Sequence, residues 1–301
     1  MIECVPNLSE GMHRNVINRV AAAAQSEGCV LLDLQMDLDH HRSVLTLVGQ
    51  PEGLIASIVA LTERAIEAID LTGHRGVHPR MGAVDVVPFV PLAGGSMREC
   101  VAAARKTGRI LAERFELPVY LYEHAAIRPE RRNLAEIRRG GLRGVAGRMA
   151  QAEWLPDFGP PRVHPTAGVT AVGARDPLVA YNVILSSDDL SAARSIASAI
   201  RASSPGGLPG VKALGLRLAS QGCVQVSMNL TDIGATDLPA AFGRVRREAD
   251  LRGLRVRSSE VIGLAPQIAF GGATAEELML ERSLSDLTLE EQLVRHGLMD
   301  R

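Results

Sequence analysis

Aromatic side chains are scarce in this chain of 301 residues, where five Phe, three Tyr and one Trp make up 3% of the composition. A core with so few rings must be aliphatic. Proteins that bind single-stranded nucleic acid stack bases on aromatic side chains, which this chain can supply only sparingly. The formal net charge of -1 gives no general attraction to nucleic acid either. We therefore expect no nucleic-acid partner.

Cysteine is also rare. The four cysteines lie far apart, and no two of them form a CxxC pair. This spacing argues against a disulfide framework or a zinc site. Cys4 and Cys29 fall within apolar, strand-like runs, where buried free thiols are common. The cysteines thus predict a protein of the reducing cytoplasm.

Long apolar runs and nucleotide-binding motifs are absent. No run reaches the about 18 apolar residues of a membrane-spanning helix, and the N-terminus lacks a signal-like apolar region. Neither a GxGxxG nor a Walker pattern occurs, so nucleotide binding finds no support. With 46% hydrophobic and 22% charged residues, the composition is that of a globular protein. We expect a soluble, cytoplasmic protein with no membrane partner.

The apolar pattern of the first half alternates between strand and helix periods in the order β-α-β-β-α-β. Asn7 and Ser9 are candidate caps for the first helix, which has apolar positions from Val16 onward. The predicted strands are 2–5, 29–34, 43–48 and 83–90, and the second predicted helix is 51–70. This is the ferredoxin-like order, in which helices cover one face of an antiparallel sheet.

The same order recurs in the second half. Strands are predicted at 178–185, 211–219, 223–230 and 254–262, with helices at 190–202 and 238–251. Asp188 or Asp189 is placed to cap the first of these helices. The chain is therefore predicted as α+β, with one subdomain at 1–177 and another at 178–301. The face of each sheet that carries no helices must also be buried. We therefore expect the two sheets to pack face to face, with the helices outside and a tunnel between the sheets.

The region between the two repeats adds a helix at 96–115 and strands at 119–122 and 171–175. Residues 128–148 carry seven arginines and are predicted to be loop-like. They either form a solvated basic surface or bind carboxylate or phosphate groups. Residues 157–168, rich in proline, form either a linker or a ligand loop, in which Gly159 and Gly168 permit close approach of a planar ligand.

The segment 73–82 holds two histidines, two arginines and three glycines between a helix pattern and an apolar run. Imidazole and guanidinium groups are rarely buried without partners, so this is not a core segment. A histidine with a reference pKa of about 6.5 beside positive charges suits acid–base chemistry on an anionic substrate. His78 and His74 are the first candidates; the alternative is a surface loop with no role.

Residues 37–42 combine acids and histidines and allow two interpretations. Carboxylates and imidazoles can bind a metal, as in a metal-dependent hydrolase, whose activity a chelator would abolish. However, adjacent residues of a strand point to opposite faces, so His40 and His41 are poorly placed to share one ion. A polar hairpin is the favoured interpretation, and no metal site is predicted.

Several motifs, taken as a set and in their spacing, resemble the formiminotransferase family, the glutamate formimidoyltransferases and the formiminotransferase domain of formiminotransferase-cyclodeaminase. The resemblance covers essentially the whole chain and is densest before residue 177. The motifs are ECVPNLSEG at 3–11, LLD at 31–33, RSV at 42–44, HPRMG at 78–82 with Asp85, PVYLY at 118–122, QAEW at 151–154 and PDFGP at 156–160.

The resemblance implies specific roles. The family's catalytic histidine lies in the HPRMG motif and corresponds to His78, with Arg80, His74, Arg42, Asp37 and Asp39 as supporting candidates. Gln35 replaces an Asp of the mammalian members, so Asp37 or Asp39 is expected to substitute for it. The implied folate-binding residues are Gly159, Pro160, Pro161, Arg162, Val163, His164, Pro165, Thr166, Ala167 and Gly168.

The implied reaction moves a formimino group from N-formimino-L-glutamate to N5 of tetrahydrofolate, giving 5-formiminotetrahydrofolate and L-glutamate in histidine degradation. Tetrahydrofolate is thus a co-substrate, no metal is expected, and the implied state is a homodimer. The basic segment near Arg138 would attract a polyglutamylated folate tail. Formyl transfer between 5-formyltetrahydrofolate and glutamate, and folate binding without catalysis, remain alternatives.

Overall fold

A computed structural model describes residues 1–77, 79–92 and 94–300. The chain divides into two compact units, Met1–Asp176 and Pro177–Arg301. Each unit has its own β-sheet and its own helices. The predicted α+β class with two α/β subdomains is confirmed.

The first unit contains a seven-stranded sheet within the described residues. Its strands are β1 (Ile2–Cys4), β2 (Asn7–Leu8), β3 (Cys29–Asp37), β4 (Arg42–Gly49), β5 (Val84–Pro91), β6 (Val119–Glu123) and β7 (Thr170–Ala174). Its α-helices are α1 (Arg14–Ala23), α2 (Pro51–Ala68), α3 (Met97–Phe115), α4 (Leu134–Ile137) and α5 (Gly141–Arg148).

Strands β1 and β2 occupy one position in this sheet, end to end, because both pair antiparallel with β4 on one side and β5 on the other. With β3 paired to β4, these strands have the ferredoxin-like order that the sequence predicts. The sheet continues beyond these antiparallel strands at its other edge, where β7 pairs parallel with both β5 and β6. Helix α3 is the reason: it returns the chain to the starting end of the sheet, as a parallel connection requires.

The long helices follow local rules of sequence. Pro51 begins α2, where its fixed backbone angle suits the first turn. Ser96 and Glu99 form a capping box at the start of α3. The caps predicted at Asn7 and Ser9 are wrong, because Asn7 belongs to β2 and the Ser9 hydroxyl donates to the carbonyl of Gly82 at 2.7 Å.

The arginine-rich region is more ordered than predicted, since it holds a 3-10 turn (Pro129–Arg131) followed by α4 and α5. Arg148 explains part of this order. Its guanidinium donates to the carbonyls of Arg139 and Ile137 at 2.8 Å and lies 4.6 Å from the Trp154 ring. Arginine donors thus satisfy carbonyls at the end of α4, which a charge pattern alone does not reveal.

The second unit repeats the ferredoxin-like order without the added strands. Its elements are β8 (Val179–Leu185), α6 (Leu190–Ile200), β9 (Val211–Leu218), β10 (Cys223–Leu230), α7 (Leu238–Asp250), β11 (Val256–Ile262), α8 (Leu284–Leu287) and α9 (Leu289–Arg295). The antiparallel order β11-β8-β10-β9 confirms the prediction. Asp189, one of the two predicted caps, accepts hydrogen bonds from the first turn of α6.

Two composition-based expectations can be compared with this fold. Cys4 and Cys29 lie buried in β1 and β3, as predicted, and all four cysteines are free in the described structure. Within the described residues, no helix has the length and apolar character needed to cross a membrane.

Candidate active site

The segment 73–82, which we call the histidine-containing loop, lies on the hairpin between β3 and β4. The backbone N–H of Val77 donates to the carbonyl of Asp39 at 3.2 Å. A side chain at Gly76 would place its Cβ 2.6 Å from the carbonyl oxygen of His40, so glycine is required for this close approach. The polar-hairpin interpretation of residues 37–42 is therefore confirmed. His78, the predicted catalytic residue, lies outside the described residues.

Asp85 on β5 is the centre of a charged cluster beside this loop. Its side chain is 1% exposed, and its Oδ1 accepts a hydrogen bond from the N–H of Met81 at 2.8 Å. Its Oδ2 forms ion pairs with Arg42, at 3.5 Å, and with Arg138. One buried carboxylate thus faces two guanidinium groups. We refer to Asp85, Arg42 and Arg138 as the arginine cluster.

The arginine cluster carries one net positive charge. Burial and the neighbouring Arg138 lower the pKa of Arg42 to about 9, while Asp85 opposes the shift, so Arg42 remains charged at neutral pH. The Arg42 Nε also donates to Asn7 Oδ1 at 2.9 Å, which fixes the plane of the guanidinium. Two guanidinium groups around one buried carboxylate suit binding of a second carboxylate.

Arg80 and His74 contact each other at the edge of this cluster. The Arg80 Nη1 donates to His74 Nδ1, and the His74 ring lies 3.9 Å from the ring of His41. Burial, then Arg80 and His41, lower the pKa of His74 to about 4. His74 is therefore a neutral imidazole at neutral pH, which suits a supporting role better than acid–base catalysis.

The two acidic residues predicted to support His78 make contacts within the hairpin. Asp37 accepts from the backbone N–H of His40 at 2.7 Å and lies 3.2 Å from the His40 ring nitrogen Nδ1. The backbone carbonyl of Asp39 holds Val77, as described above. The Asp37 carboxylate therefore contacts both the backbone N–H and the ring of His40. In the described parts of the chain, no group of three or more side chains is arranged to hold a metal ion.

The last three residues of the predicted folate loop are docked on the histidine-containing loop and the residues that flank it. The carbonyl of Thr166 accepts from Leu71, and the carbonyl of Ala167 accepts from Ala83, both at 2.9 Å. Gly168 forms a bridge with Gly82. These bonds bring two of the predicted site segments together, although they are separated by about eighty positions in the chain.

The rest of this loop is more exposed. Pro161, Arg162 and Pro165 are exposed, whereas Pro160, Val163 and His164 are partly buried. Arg162 pairs with Glu116 at 2.9 Å on the surface. The nitrogen Nδ1 of His164 accepts from the N–H of Ala167 at 3.0 Å, and burial lowers the pKa of this imidazole.

Gly159 and Gly168 are required by the local backbone. Both have positive φ angles, 86° and 72°. A Cβ at Gly159 would lie 2.5 Å from the carbonyl oxygen of Leu117, and one at Gly168 would collide with the carbonyl of Met81. At both positions the chain's own backbone approaches too closely for a side chain.

A second buried ion pair anchors the start of this loop. Arg131 and Asp157 are 1% and 4% exposed and lie 2.8 Å apart. Arg131 also donates to the carbonyl of Glu153 at 2.8 Å, and Asp157 accepts from the N–H of Leu121 at 2.8 Å. The pair ties the turn after β6 to the segment that leads into residues 159–168.

Sequence reasoning placed Asp85 in a motif but did not assign it a role, and it treated Arg138 and Arg131 as members of one basic segment. A signal for Asp85 was present, because it is the single charged residue in the apolar strand β5. No comparable signal separates Arg131 from Arg138, since both stand among exposed arginines in sequence. Only the tertiary contacts distinguish them.

Comparison with known proteins gives a consistent family. The profile of the formiminotransferase domain, N-terminal subdomain, matches residues 1–175, and that of the formiminotransferase domain matches residues 180–299. The chain is 41% identical over 300 residues to the glutamate formimidoyltransferase of Streptococcus pyogenes serotype M1, covering 99% of both chains. It is 43% identical over 272 residues to the glutamate formimidoyltransferase of Thermoplasma acidophilum, covering 89% of both. It is 42% identical over 281 residues to the formimidoyltransferase-cyclodeaminase of Mus musculus, covering 91% of this chain and 52% of the mouse protein.

Proposed function

The chain belongs to the formiminotransferase family, and from this premise we propose that it transfers a formimino group from N-formimino-L-glutamate to N5 of tetrahydrofolate. The products are 5-formiminotetrahydrofolate and L-glutamate, and the reaction would serve histidine degradation. Two relatives that align along most of their length are named glutamate formimidoyltransferase, which supports this choice of reaction.

The arginine cluster is the observation that carries the proposal. N-Formimino-L-glutamate has two carboxylates, and a guanidinium group binds a carboxylate through two parallel hydrogen bonds. Arg42 and Arg138 share one buried carboxylate, so the cluster retains a positive charge beside the loop that contains His78. A donor held there by a carboxylate would have its formimino group near that loop.

The chemistry requires proton transfer at two nitrogen atoms. N5 of tetrahydrofolate attacks the formimino carbon, a new C–N bond forms, and a tetrahedral intermediate results. The bond between this carbon and the glutamate nitrogen then breaks, and glutamate leaves as an amine after gaining a proton. We assign both proton transfers to His78, first as base toward N5 and then as acid toward the leaving nitrogen. Such catalysis contributes about 10²–10⁴-fold.

We assign folate binding to residues 159–168. The part of this loop from Thr166 to Gly168 is fixed against the histidine-containing loop, and its neighbours Pro161 and Arg162 are exposed. An anchored loop with an accessible portion can hold a ligand next to the reacting groups with little loss of loop entropy on binding. Tetrahydrofolate is the co-substrate in this proposal, and no metal takes part.

The proposal extends to assembly and compartment. We assign the protein to the cytoplasm, where the free thiols are stable, and we infer a homodimer from the family resemblance. Light scattering coupled to size-exclusion chromatography tests the second statement. A mass of one chain at micromolar concentration would contradict it.

A single assay separates the proposed reaction from its alternatives. Purified protein is mixed with tetrahydrofolate and either formiminoglutamate or formylglutamate, and the folate product is followed by absorbance. Turnover with formiminoglutamate supports the proposal, and turnover with formylglutamate alone would replace it by formyl transfer. No turnover with either donor, together with retained folate binding, would favour a binding protein.

The role of His78 is tested in the same assay. His78→Ala should reduce kcat by at least about 100-fold, the lower range for loss of general acid–base catalysis, while tetrahydrofolate binding stays within a few-fold. His124→Leu is the matched control, because His124 is half exposed and its Nε2 pairs with Asp176 at the surface. Near-normal turnover of His78→Ala would overturn the assignment.

A further inference from the structure

We propose that His74 is the positioning residue for Arg80: its neutral imidazole accepts a hydrogen bond from the guanidinium and fixes Arg80 to bind a carboxylate of the acidic substrate. The contact between the two residues is a property of the fold. Only the identity of the substrate rests on the proposed function.

The guanidinium of Arg80 is held at both terminal nitrogens. Nη1 donates to Nδ1 of His74, and Nη2 donates to the carbonyl oxygen of Gly76. A guanidinium is planar, so two acceptors on separate nitrogens determine its orientation as well as its position. The carbonyl of Gly76 belongs to the rigid backbone, whereas the His74 ring is the part of this arrangement that a substitution can remove.

The hydrogen bond determines the protonation of His74. Because Nδ1 accepts from Arg80, a neutral ring must carry its proton on Nε2. Nε2 is buried and has no hydrogen-bond partner among the described residues. A second proton on Nδ1 would point at the N–H of Arg80 and break the contact. The surroundings oppose that proton on balance: burial, Arg80 and the His41 ring lower the pKa of His74 and outweigh the backbone of His41 and the charge of Glu10, which raise it.

The His41 ring packs against the His74 ring, and Glu10 lies next to His41. The rings of His41 and His74 are 3.9 Å apart and inclined by 55°. His41 Nδ1 accepts from the N–H of Gly11 at 3.3 Å and lies 3.8 Å from Glu10 Oε1. Glu10 is itself fixed by the N–H groups of Met12 and His13, at 2.6 and 2.8 Å. The ring therefore has little freedom to turn away from Arg80.

Kinetics distinguish a positioning role from simple packing. His74→Leu removes the acceptor, and we expect the KM for formiminoglutamate to rise about tenfold or more, the effect of losing a hydrogen bond to a charged group. The kcat and the KM for tetrahydrofolate should change by less than about twofold. His74→Asn offers an acceptor oxygen near the position of Nδ1 and should recover most of the affinity. His124→Leu, at an exposed histidine, serves as the control.

Two kinetic outcomes would overturn the proposal. The first is an unchanged KM for formiminoglutamate in His74→Leu. The second is an equal loss in His74→Leu and His74→Asn that affects both substrates alike, because this would show a packing role without recognition of an acceptor.

Nitrogen NMR of the imidazoles tests the contact without any enzymatic assay. In the wild-type protein His74 should show the Nε2–H tautomer and remain neutral from pH 8 to below pH 5.5. In Arg80→Ala the pKa of His74 should rise, because a neighbouring positive charge is lost. An Nδ1–H tautomer, or wild-type titration near pH 6.5, would overturn the proposal. If the wild-type protein proves inactive as a transferase, the proposed function fails while this measurement still decides the contact.

Discussion

The first unit contains two buried groups of arginine and aspartate side chains, and the two groups differ in their charge balance. In the pair Arg131–Asp157, one guanidinium meets one carboxylate, and further donors of Arg131 reach backbone carbonyls. In the arginine cluster, Arg42 and Arg138 meet the single carboxylate of Asp85. In the first arrangement one guanidinium is matched by one carboxylate, although Arg131 Nε is buried without a hydrogen-bond partner among the described residues, whereas in the second two guanidinium groups share one carboxylate.

The difference shows how charge balance separates a structural ion pair from an anion site. Removing a charge from water is costly, so a buried ion needs compensation from its surroundings. Arg131 has that compensation in the folded chain. In the arginine cluster two guanidinium groups share one carboxylate, and we propose that an anionic substrate binds beside them. Arg131 and Arg138 lie seven positions apart in one basic segment, so local sequence does not set their roles.

The largest effect is expected from breaking the ion pair between Arg131 and Asp157. Asp157→Ala leaves Arg131 buried without its partner, and the free energy of unfolding should fall by about 3–5 kcal/mol. Urea denaturation measures this change. Glu116→Ala, which breaks the exposed pair with Arg162, is the control and should change it by less than about 1 kcal/mol. A loss below about 1 kcal/mol in Asp157→Ala would remove the distinction between the buried and exposed pairs.

The second effect concerns the arginine cluster. Arg138→Ala leaves Asp85 paired with Arg42 and with the N–H of Met81, so stability should fall less than in Asp157→Ala. The KM for formiminoglutamate should rise about 10–100-fold, the equivalent of one charge-assisted hydrogen-bond pair. Steady-state kinetics test this, with the exposed Arg132→Ala as control. If both variants have the wild-type KM, the cluster does not bind the donor.

A third, smaller effect comes from added anions. Asp85→Asn exposes two guanidinium groups to any carboxylate, so acetate at ten times its dissociation constant should stabilise this variant by about 1.4 kcal/mol. Asp157→Asn should gain less, because Arg131 retains its backbone acceptors and is closed to solvent. Thermal melts with and without acetate measure both. Equal stabilisation of the two variants by acetate would contradict the proposal that the arginine cluster, and not the Arg131–Asp157 pair, binds anions.

The smallest effect is a pH dependence linked to the contact between His74 and Arg80. Burial lowers the pKa values of His74, His40 and His164 below that of an unfolded histidine. The unfolded chain therefore takes up these protons first, and stability should decrease as the pH falls from about 6.5, reaching its full loss for His74 near its folded pKa of about 4. Urea midpoints between pH 7.5 and 5 test this, and His74→Asn should show a weaker dependence. A midpoint that rises toward acid would contradict the sign.

Most of the secondary structure and its order could be predicted from sequence, because apolar periodicity reports which face of each element is buried. Helix α2 and strand β10 follow from such patterns. The parallel strands β6 and β7 could not be predicted as additions to the same sheet, since their partners are set by the path of α3. The short helices α4 and α5 were missed because arginine side chains, rather than an apolar stripe, satisfy their ends.

The site was predictable in its segments but not in its contacts. The sequence indicated the histidine-containing loop and residues 159–168, and the structure shows that backbone hydrogen bonds join them. The pairing of Asp85 with Arg42 and with Arg138 brings together three distant parts of the chain. Such long-range pairing depends on strand register and leaves no spacing signal in the sequence.

The position shared by β1 and β2 has a consequence for how the chain is made. Ile2 is paired with Gly49 and with Pro91, so the first strand lies in the middle of the sheet and needs partners on both sides. Synthesis at about 5–20 residues per second means that the second partner emerges on the order of ten seconds after the first strand. The partner at Gly49 emerges earlier, so in the later part of that interval the first strand still has one open edge, which Pro91 covers last. The ribosome-bound chain is thus a stage at which a chaperone can bind.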